Sequence, residues 1–201
     1  PVIEWYIRIK VKMEHNYQLF NQLIPMKGQI TDIGCGLGPL CYMLSMISKE
    51  RQILGIDYDE DKIAIAQHGW LRGENLRFEH ADASVYEFPE SDAFILNDVL
   101  HYMNYEHQHD LLVRCATLLL PEGMIIVRDG NSAETHKHRL TRLTEVLSTQ
   151  VVKFNRTTDK LCFTSEAQIQ SIARECGMEV KTIRNDKYTS NTIYILKKQL
   201  P

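Results

Sequence analysis

Eleven residues, ITDIGCGLGPL from Ile30 to Leu40, place three glycines at alternate positions directly after a short apolar run. A tight strand-to-helix connection needs one such residue, since a residue without Cβ tolerates positive φ. Three, at i, i+2 and i+4, exceed that need. The spacing marks a place where something small lies against bare main chain. Gln29 to Ile33 reads as the strand before the turn and Pro39 to Ile47 as the helix after it.

The same rhythm continues downstream. Gln52 to Ile56 reads as a strand, followed by a helix from about Glu60 to His68 with Asp59 as its cap. Leu76 to Glu79 and Ala93 to Leu96 are short strands. Leu111, Leu112, Cys115 and Leu119 trace a helix stopped by Pro121, and Met124 to Val127 is another strand. Strands alternating with helices imply parallel pairing, because a parallel connection must be long enough to hold a helix. Upstream, Ile9, Met13, Tyr17, Phe20 and Ile24 repeat at helical spacing before Pro25 and Gly28 end the pattern. Asn131 to Leu161 departs from the rhythm: it is polar and rich in charge and histidine, with a helical stretch near Leu140 to Leu147. Ser165 then caps a helix that Gly177 ends, and Glu179 to Arg184 and Thr192 to Leu196 are expected to pair antiparallel. The organisation expected is an N-terminal helix in residues 1–28 and one domain over 29–201, with an insertion near 131–161.

A chain of 201 residues suits one domain, and 44% hydrophobic with 24% charged residues is the composition of a soluble globular protein. The net charge of -3 offers no basic excess to neutralise phosphates, so no nucleic-acid partner is expected. The five cysteines contain no C-x-x-C pair and read as reduced, mostly buried thiols in a cytoplasmic setting. No run approaches the roughly 18 to 20 apolar residues of a membrane span, and no signal-peptide pattern opens the sequence. The first residue, Pro1, leads us to expect a processed product or a domain cut from a longer protein.

Two nucleotide-binding alternatives fail at the glycine turn. A G-x-G-x-x-G fingerprint would put its third glycine at position 39, where Pro39 would intrude on close helix–strand packing. A G-x-x-x-x-G-K-[ST] phosphate loop is absent. The pairs Tyr6/Lys10 and Tyr58/Lys62 match a dehydrogenase spacing, but neither follows the later strands where such a pair would act. Instead, TDIGCGLG resembles the D-x-G-x-G-x-G signature of class I S-adenosylmethionine-dependent methyltransferases. GIDYDEDKIAIA, FEHADASVYEFP, DAFILNDVLHYM, LLLPEGMIIVRD and FTSEAQIQSIARECGMEV resemble later segments of that family in their expected order, so the likeness runs from about Gln29 to Leu196. There is also a fainter resemblance to bacterial methyltransferase domains attached to acyltransferase-like modules.

The resemblance implies an α/β, Rossmann-like fold: a seven-stranded, mostly parallel sheet with helices on both faces and one antiparallel strand near the C-terminus. It implies S-adenosyl-L-methionine as cofactor. Gly34, Gly36 and Gly38 would let the ligand cross the end of the first strand. Asp32 would orient its amino acid end or, as a structural alternative, brace the loop. Asp57 would accept from both ribose hydroxyls, Tyr58 would lie against the adenine, Asp82 with Ala83 would read the adenine amino edge, and Asn97 would sit under the methionine part.

Methyl transfer from a cationic sulfur needs mainly alignment, but a hydroxyl nucleophile also needs its proton removed. His101 and Asp129 are the base candidates, against the alternative that His101 only lines the core. His107/His109 and His136/His138 lie two apart, which on a helix turns each pair away from a common face, and no metal is expected. Trp5, Tyr6 and the segment Asn131 to Lys160 are expected to cap the site; Arg139 and Arg142 share a helix face there. The expected function is methyl transfer to an oxygen, or to nitrogen or carbon, of a small-molecule acceptor. A non-catalytic binding module and transfer of another alkyl group from a modified cofactor both stay open.

Overall fold

The computed structural model describes residues 15–69, 73–130, 161–184 and 191–198. The start of the expected N-terminal helix, with Trp5, Tyr6, Ile9 and Met13, lies outside them, as do residues 131–160 with their expected helix, Arg139 and Arg142. In chain order the elements are α1 (His15–Leu23), β1 (Gly28–Ile33), α2 (Pro39–Ile47), β2 (Arg51–Asp57), α3 (Glu60–Gln67), β3 (Leu76–His80), β4 (Ser91–Asn97), a short 3-10 turn (Leu100–Tyr102), α4 (Tyr105–Thr117), β5 (Leu119–Gly130), α5 (Glu166–Glu175), β6 (Met178–Arg184) and β7 (Asn191–Lys198).

The strands form one seven-stranded sheet in the order β3-β2-β1-β4-β5-β7-β6. The first five in this spatial order run parallel, and β7 is antiparallel to both β5 and β6. Alternation along the central strands explains why both faces are covered. In β4, Ala93 and Ile95 face a core with Tyr17, Phe20 and Ile24 of α1, Leu40, Cys41 and Leu44 of α2, and Ile63 of α3. Phe94 and Leu96 face the opposite core, with Leu111, Leu112 and Cys115 of α4 and Ile169 and Ile172 of α5. A period of two along a strand produces this split, and β5 repeats it: Met124 and Ile126 one way, Ile125 and Val127 the other. The sheet order reverses between β1 and β4, so both crossovers leave a crevice at their carboxyl ends, where open α/β sheets place ligands.

Local signals acted as their chemistry requires. Asp59 caps α3 by accepting from the amides of Asp61 and Lys62. Ser165 and Gln168 form a reciprocal capping box at the start of α5. One expectation needs correction: Pro121 does not stop α4. The helix ends at Thr117, capped by Leu118, and Pro121 already belongs to β5. Leu119 pairs with Ser91 of β4, the register shifts between Ser91 and Ala93, and Glu122 takes positive φ, so the start of β5 is an irregular stretch that tolerates a proline.

Arg51 is fully buried at the start of β2. Its guanidinium donates to the carbonyls of Asn21, Ile24 and Pro25 and to Asn21 Oδ1, at 2.7 to 3.4 Å. The Asn21 carbonyl is an orphan acceptor of the last turn of α1, and those of Ile24 and Pro25 follow it, so one side chain seals a helix end against the sheet. Replacing Arg51 by Met would keep much of the volume and orphan those acceptors. We expect a loss of about 3 kcal/mol, read as a lower urea midpoint; an unchanged midpoint would show that the guanidinium contributes nothing net.

Candidate active site

β1 leaves the sheet at Ile33 and the chain turns through Gly34 to Gly38 into α2. The amides of Gly34 and Cys35 both donate to the carbonyl of Ile56 at 2.8 and 2.9 Å, and that of Gly38 to the carbonyl of Cys35 at 3.0 Å. The amide of Gly36 donates to Asp57 Oδ2 at 2.8 Å. These four donors are therefore spent inside the turn. Such a loop offers main-chain surface rather than a ring of N–H groups for phosphate.

The three glycines serve different ends. A Cβ at Gly34 would stand 2.2 Å from Val99 Cγ2, and one at Gly38 would stand 2.4 Å from Phe78 Cζ, so both positions let neighbouring side chains close in. A Cβ at Gly36 would meet nothing within 4 Å. Gly36, at φ +57°, borders open space. Asp32, in β1, is buried and accepts from the thiol of Cys41 at 3.1 Å. Burial and this nearby carboxylate push the Cys41 thiol well above the usual range, so it stays protonated.

Asp57 ends β2 with both carboxylate oxygens engaged: Oδ2 with Gly36, and Oδ1 with the amide of Asp59 at 2.9 Å. A carboxylate oxygen has a second acceptor direction, so each can still take a hydroxyl. Tyr58, next to it, is exposed. At the end of β3, the amide of Ala81 donates to the carbonyl of Asp57 at 3.0 Å. Asp82 Oδ1 accepts from the amide and hydroxyl of Ser84, both at 2.8 Å, which holds its carboxyl below the usual range. Arg114 of α4 clamps this loop by donating to the carbonyls of Ala83 and Ser84, at 2.9 and 2.8 Å, and of Tyr86, while lying over the ring of Phe88. Sequence reasoning missed Arg114. Nothing local distinguishes it from any basic residue near a helix end.

The ends of β4 and β5 carry the two base candidates, His101 and Asp129. Arg128 donates to Asn97 Oδ1 at 3.3 Å and to Asp98 Oδ2, fixing the bend where Asp98 takes φ 59°. The adjacent Asp129 holds the next turn: its Oδ2 accepts from the amide of His101 at 2.9 Å, and its Oδ1 lies 2.6 Å from His101 Nδ1. Asp129 is 1% exposed and His101 12%. The two base candidates of the sequence are thus one pair, with Asp129 orienting the imidazole. Phe163 stacks on that imidazole at 5.3 Å between centroids, and Tyr102 lies at 4.2 Å. Gln108 of α4 joins the pieces: its Nε2 donates to the carbonyls of Leu100, Met103 and Cys162, and its Oε1 accepts from Thr164. Gln108 and Phe163 were also missed: Gln108 lies in none of the recognised segments, and Phe163, which opens FTSEAQIQSIARECGMEV, carries no mark there of its contact with His101.

Gly36, Asp57, Tyr58 and Asp82 therefore lie at the carboxyl ends of β1, β2 and β3, while Asn97, His101 and Asp129 lie at those of β4 and β5, across the point where strand order reverses. A hollow of about 510 Å³ lined by Lys49, Gln52, Gly73, Glu74 and Asn75 sits at the opposite, amino-terminal ends of β2 and β3. It does not adjoin these groups. The Cys35 and Cys41 thiols are free and buried, and no described helix is long and apolar enough to cross a membrane.

The family model described as Methyltransferase domain matches residues 30–123. The ubiquinone biosynthesis O-methyltransferase of Bradyrhizobium diazoefficiens is 32% identical over 125 residues, 60% of this chain and 46% of that protein. The carboxy-S-adenosyl-L-methionine synthase of Helicobacter pylori is 31% identical over 109 residues, 54% of this chain and 46% of that protein. The matched stretch thus spans less than half the length of either curated relative. In fold, the magnesium protoporphyrin IX methyltransferase of Synechocystis, solved with bound S-adenosylmethionine, superposes with a TM-score of 0.68 at 17% identity, covering 95% of this chain and 82% of that one. The matched segment 30–123 is thus a methyltransferase domain, and the 3-2-1-4-5-7-6 sheet has the fold of the S-adenosylmethionine-bound methyltransferase on which it superposes.

Proposed function

We propose that this chain transfers a methyl group from S-adenosylmethionine to a hydroxyl oxygen of a small-molecule acceptor, with His101 as general base and Asp129 as its orienting partner. The observation that carries the choice of oxygen is the 2.6 Å contact between His101 Nδ1 and the buried carboxylate of Asp129. A buried carboxylate accepting from Nδ1–H fixes the tautomer and leaves the lone pair on Nε2, the form that accepts a proton. It also stabilises the imidazolium that results.

The residues present suit the cofactor. When bound, S-adenosylmethionine supplies a methyl group on a cationic sulfur. The open space over Gly36 would take its main-chain-facing side, and the acceptor directions left on Asp57 suit a ribose diol. Tyr58 and the loop of Asp82 and Ala83 would bracket the adenine, and Arg114 holds that loop in shape. Asn97, its amide oxygen held by Arg128, turns its NH₂ end toward other acceptors, which suits the amino acid end. Asp32 and Gly34 act beneath the turn. The part of residues 1–28 that precedes α1 and the segment near 131–161 are proposed to contribute the cover on the acceptor side. The setting consistent with free, buried thiols is cytoplasmic.

Radiolabelled S-adenosylmethionine offered with a panel of small phenols, alcohols and carboxylic acids tests the reading. The parent chain should label a hydroxyl-bearing acceptor, and His101→Gln should lower turnover by roughly 10²-fold or more with affinity for S-adenosylhomocysteine unchanged. Asp129→Asn should give a smaller loss in turnover. Binding without label on any acceptor, or full turnover by His101→Gln, would contradict it. Gly36→Ala provides a separate check on the cofactor position. Its Cβ meets no protein atom, so the fold should survive with a cost of about 1 to 2 kcal/mol for the left-handed φ, while S-adenosylhomocysteine affinity should fall at least about tenfold. Equal affinity would remove the ligand from that space.

A further inference from the structure

We infer that the acceptor is a planar aromatic ring carrying the reactive hydroxyl, docked against Tyr102, Tyr105 and Phe163 beside His101; this rests on the base assignment proposed above. Large rings normally bury themselves, yet Tyr102 is 41% and Tyr105 51% exposed. They are not scattered. Tyr102 lies 4.2 Å from the His101 ring, Phe163 stacks on it at 27° between planes, and the Tyr105 hydroxyl reaches the carbonyl of Phe163. The amide of Cys162 donates to the carbonyl of His101 at 2.9 Å, and buried Gln108 ties Leu100, Met103 and Cys162 together. The rings therefore stand on a pinned wall formed by two chain segments distant in sequence. Ring faces arranged around a base favour a planar partner that can stack or meet them edge-on.

Topology separates this wall from the adenine side. Tyr58 follows β2, two strands away from β4 in the sheet, whereas Tyr102, Tyr105 and Phe163 gather beyond the ends of β4 and β5. The chemistry of the base points the same way. Imidazole, with an ordinary pKa of about 6.5, is far better matched to a phenol near 10 than to an alkanol near that of water, about 15.7. In the step, an electron pair of the phenolic oxygen forms the new O–CH₃ bond. The sulfur keeps the pair of the broken S–CH₃ bond and leaves as a neutral thioether, and the phenolic proton passes to His101 Nε2.

The test uses the full chain loaded with S-adenosylhomocysteine and compares naphthol with its saturated counterpart decalol by saturation-transfer NMR. Transfer of radiolabelled methyl to the same two alcohols is then measured with S-adenosylmethionine. Naphthol should bind at least about tenfold more tightly than decalol. Tyr102→Leu and Tyr105→Leu should each weaken naphthol by about fivefold, with Tyr102→Phe and Tyr105→Phe restoring it. Selective, ring-dependent binding followed by methylation supports the inference. The same binding without methylation upholds the docking wall while overturning the base assignment. Equal binding of the two alcohols, or naphthol binding indifferent to the Leu variants, overturns the inference even if another acceptor is methylated.

Discussion

The carboxylate of Asp57 is the tie on which the carboxyl ends of β1, β2 and β3 depend. It closes β2, yet one oxygen holds the amide of Gly36 in the turn after β1 and the other holds the amide of Asp59 at the start of α3. Its own carbonyl receives the amide of Ala81 after β3. Three strand ends thus meet around one residue. Because the turn's amides are spent on Ile56, Cys35 and Asp57, the loop is shaped before any ligand arrives. Preorganisation of this kind lowers the ordering cost of binding.

The ends of β4 and β5 follow a different logic. Arg128 and Asp129 are neighbours on β5, so their side chains leave opposite faces of the sheet. Arg128 takes Asn97 and Asp98, and Asp129 takes His101. The segment 97–101 is gripped from both faces by consecutive residues of one strand. Gly34 contributes from below, since only a residue without Cβ leaves room for Val99. A glycine assigned to ligand approach therefore also sets the path of the segment that carries His101.

The fold was largely legible because its signals are local and repetitive. The alternation that sends Phe94 and Ile95 into different cores, the Asp59 cap and the Ser165–Gln168 box each need only a few neighbouring residues to be recognised. The limit of the α4 helix was misjudged because Pro121 stands in an irregular strand start whose register is set by Ser91. In the site, His101 and Asp129 were legible as separate base candidates but not as a pair, because a contact across 28 residues is made by the sheet. Arg114 and Gln108 were not legible at all. The main-chain carbonyls they donate to lie 28 to 31 and 5 to 54 residues away, and a carbonyl leaves no mark in a sequence.

Titration calorimetry of S-adenosylhomocysteine against the parent chain and Asp57→Asn reaches the central claim most directly. An amide retains the shape but has one acceptor oxygen where the carboxylate has two, so it cannot serve both main-chain amides and a diol. The account predicts binding by the parent and an affinity at least about tenfold weaker in the variant, with both chains still folded by circular dichroism. A parent that does not bind, or a folded variant that binds equally well, would contradict it.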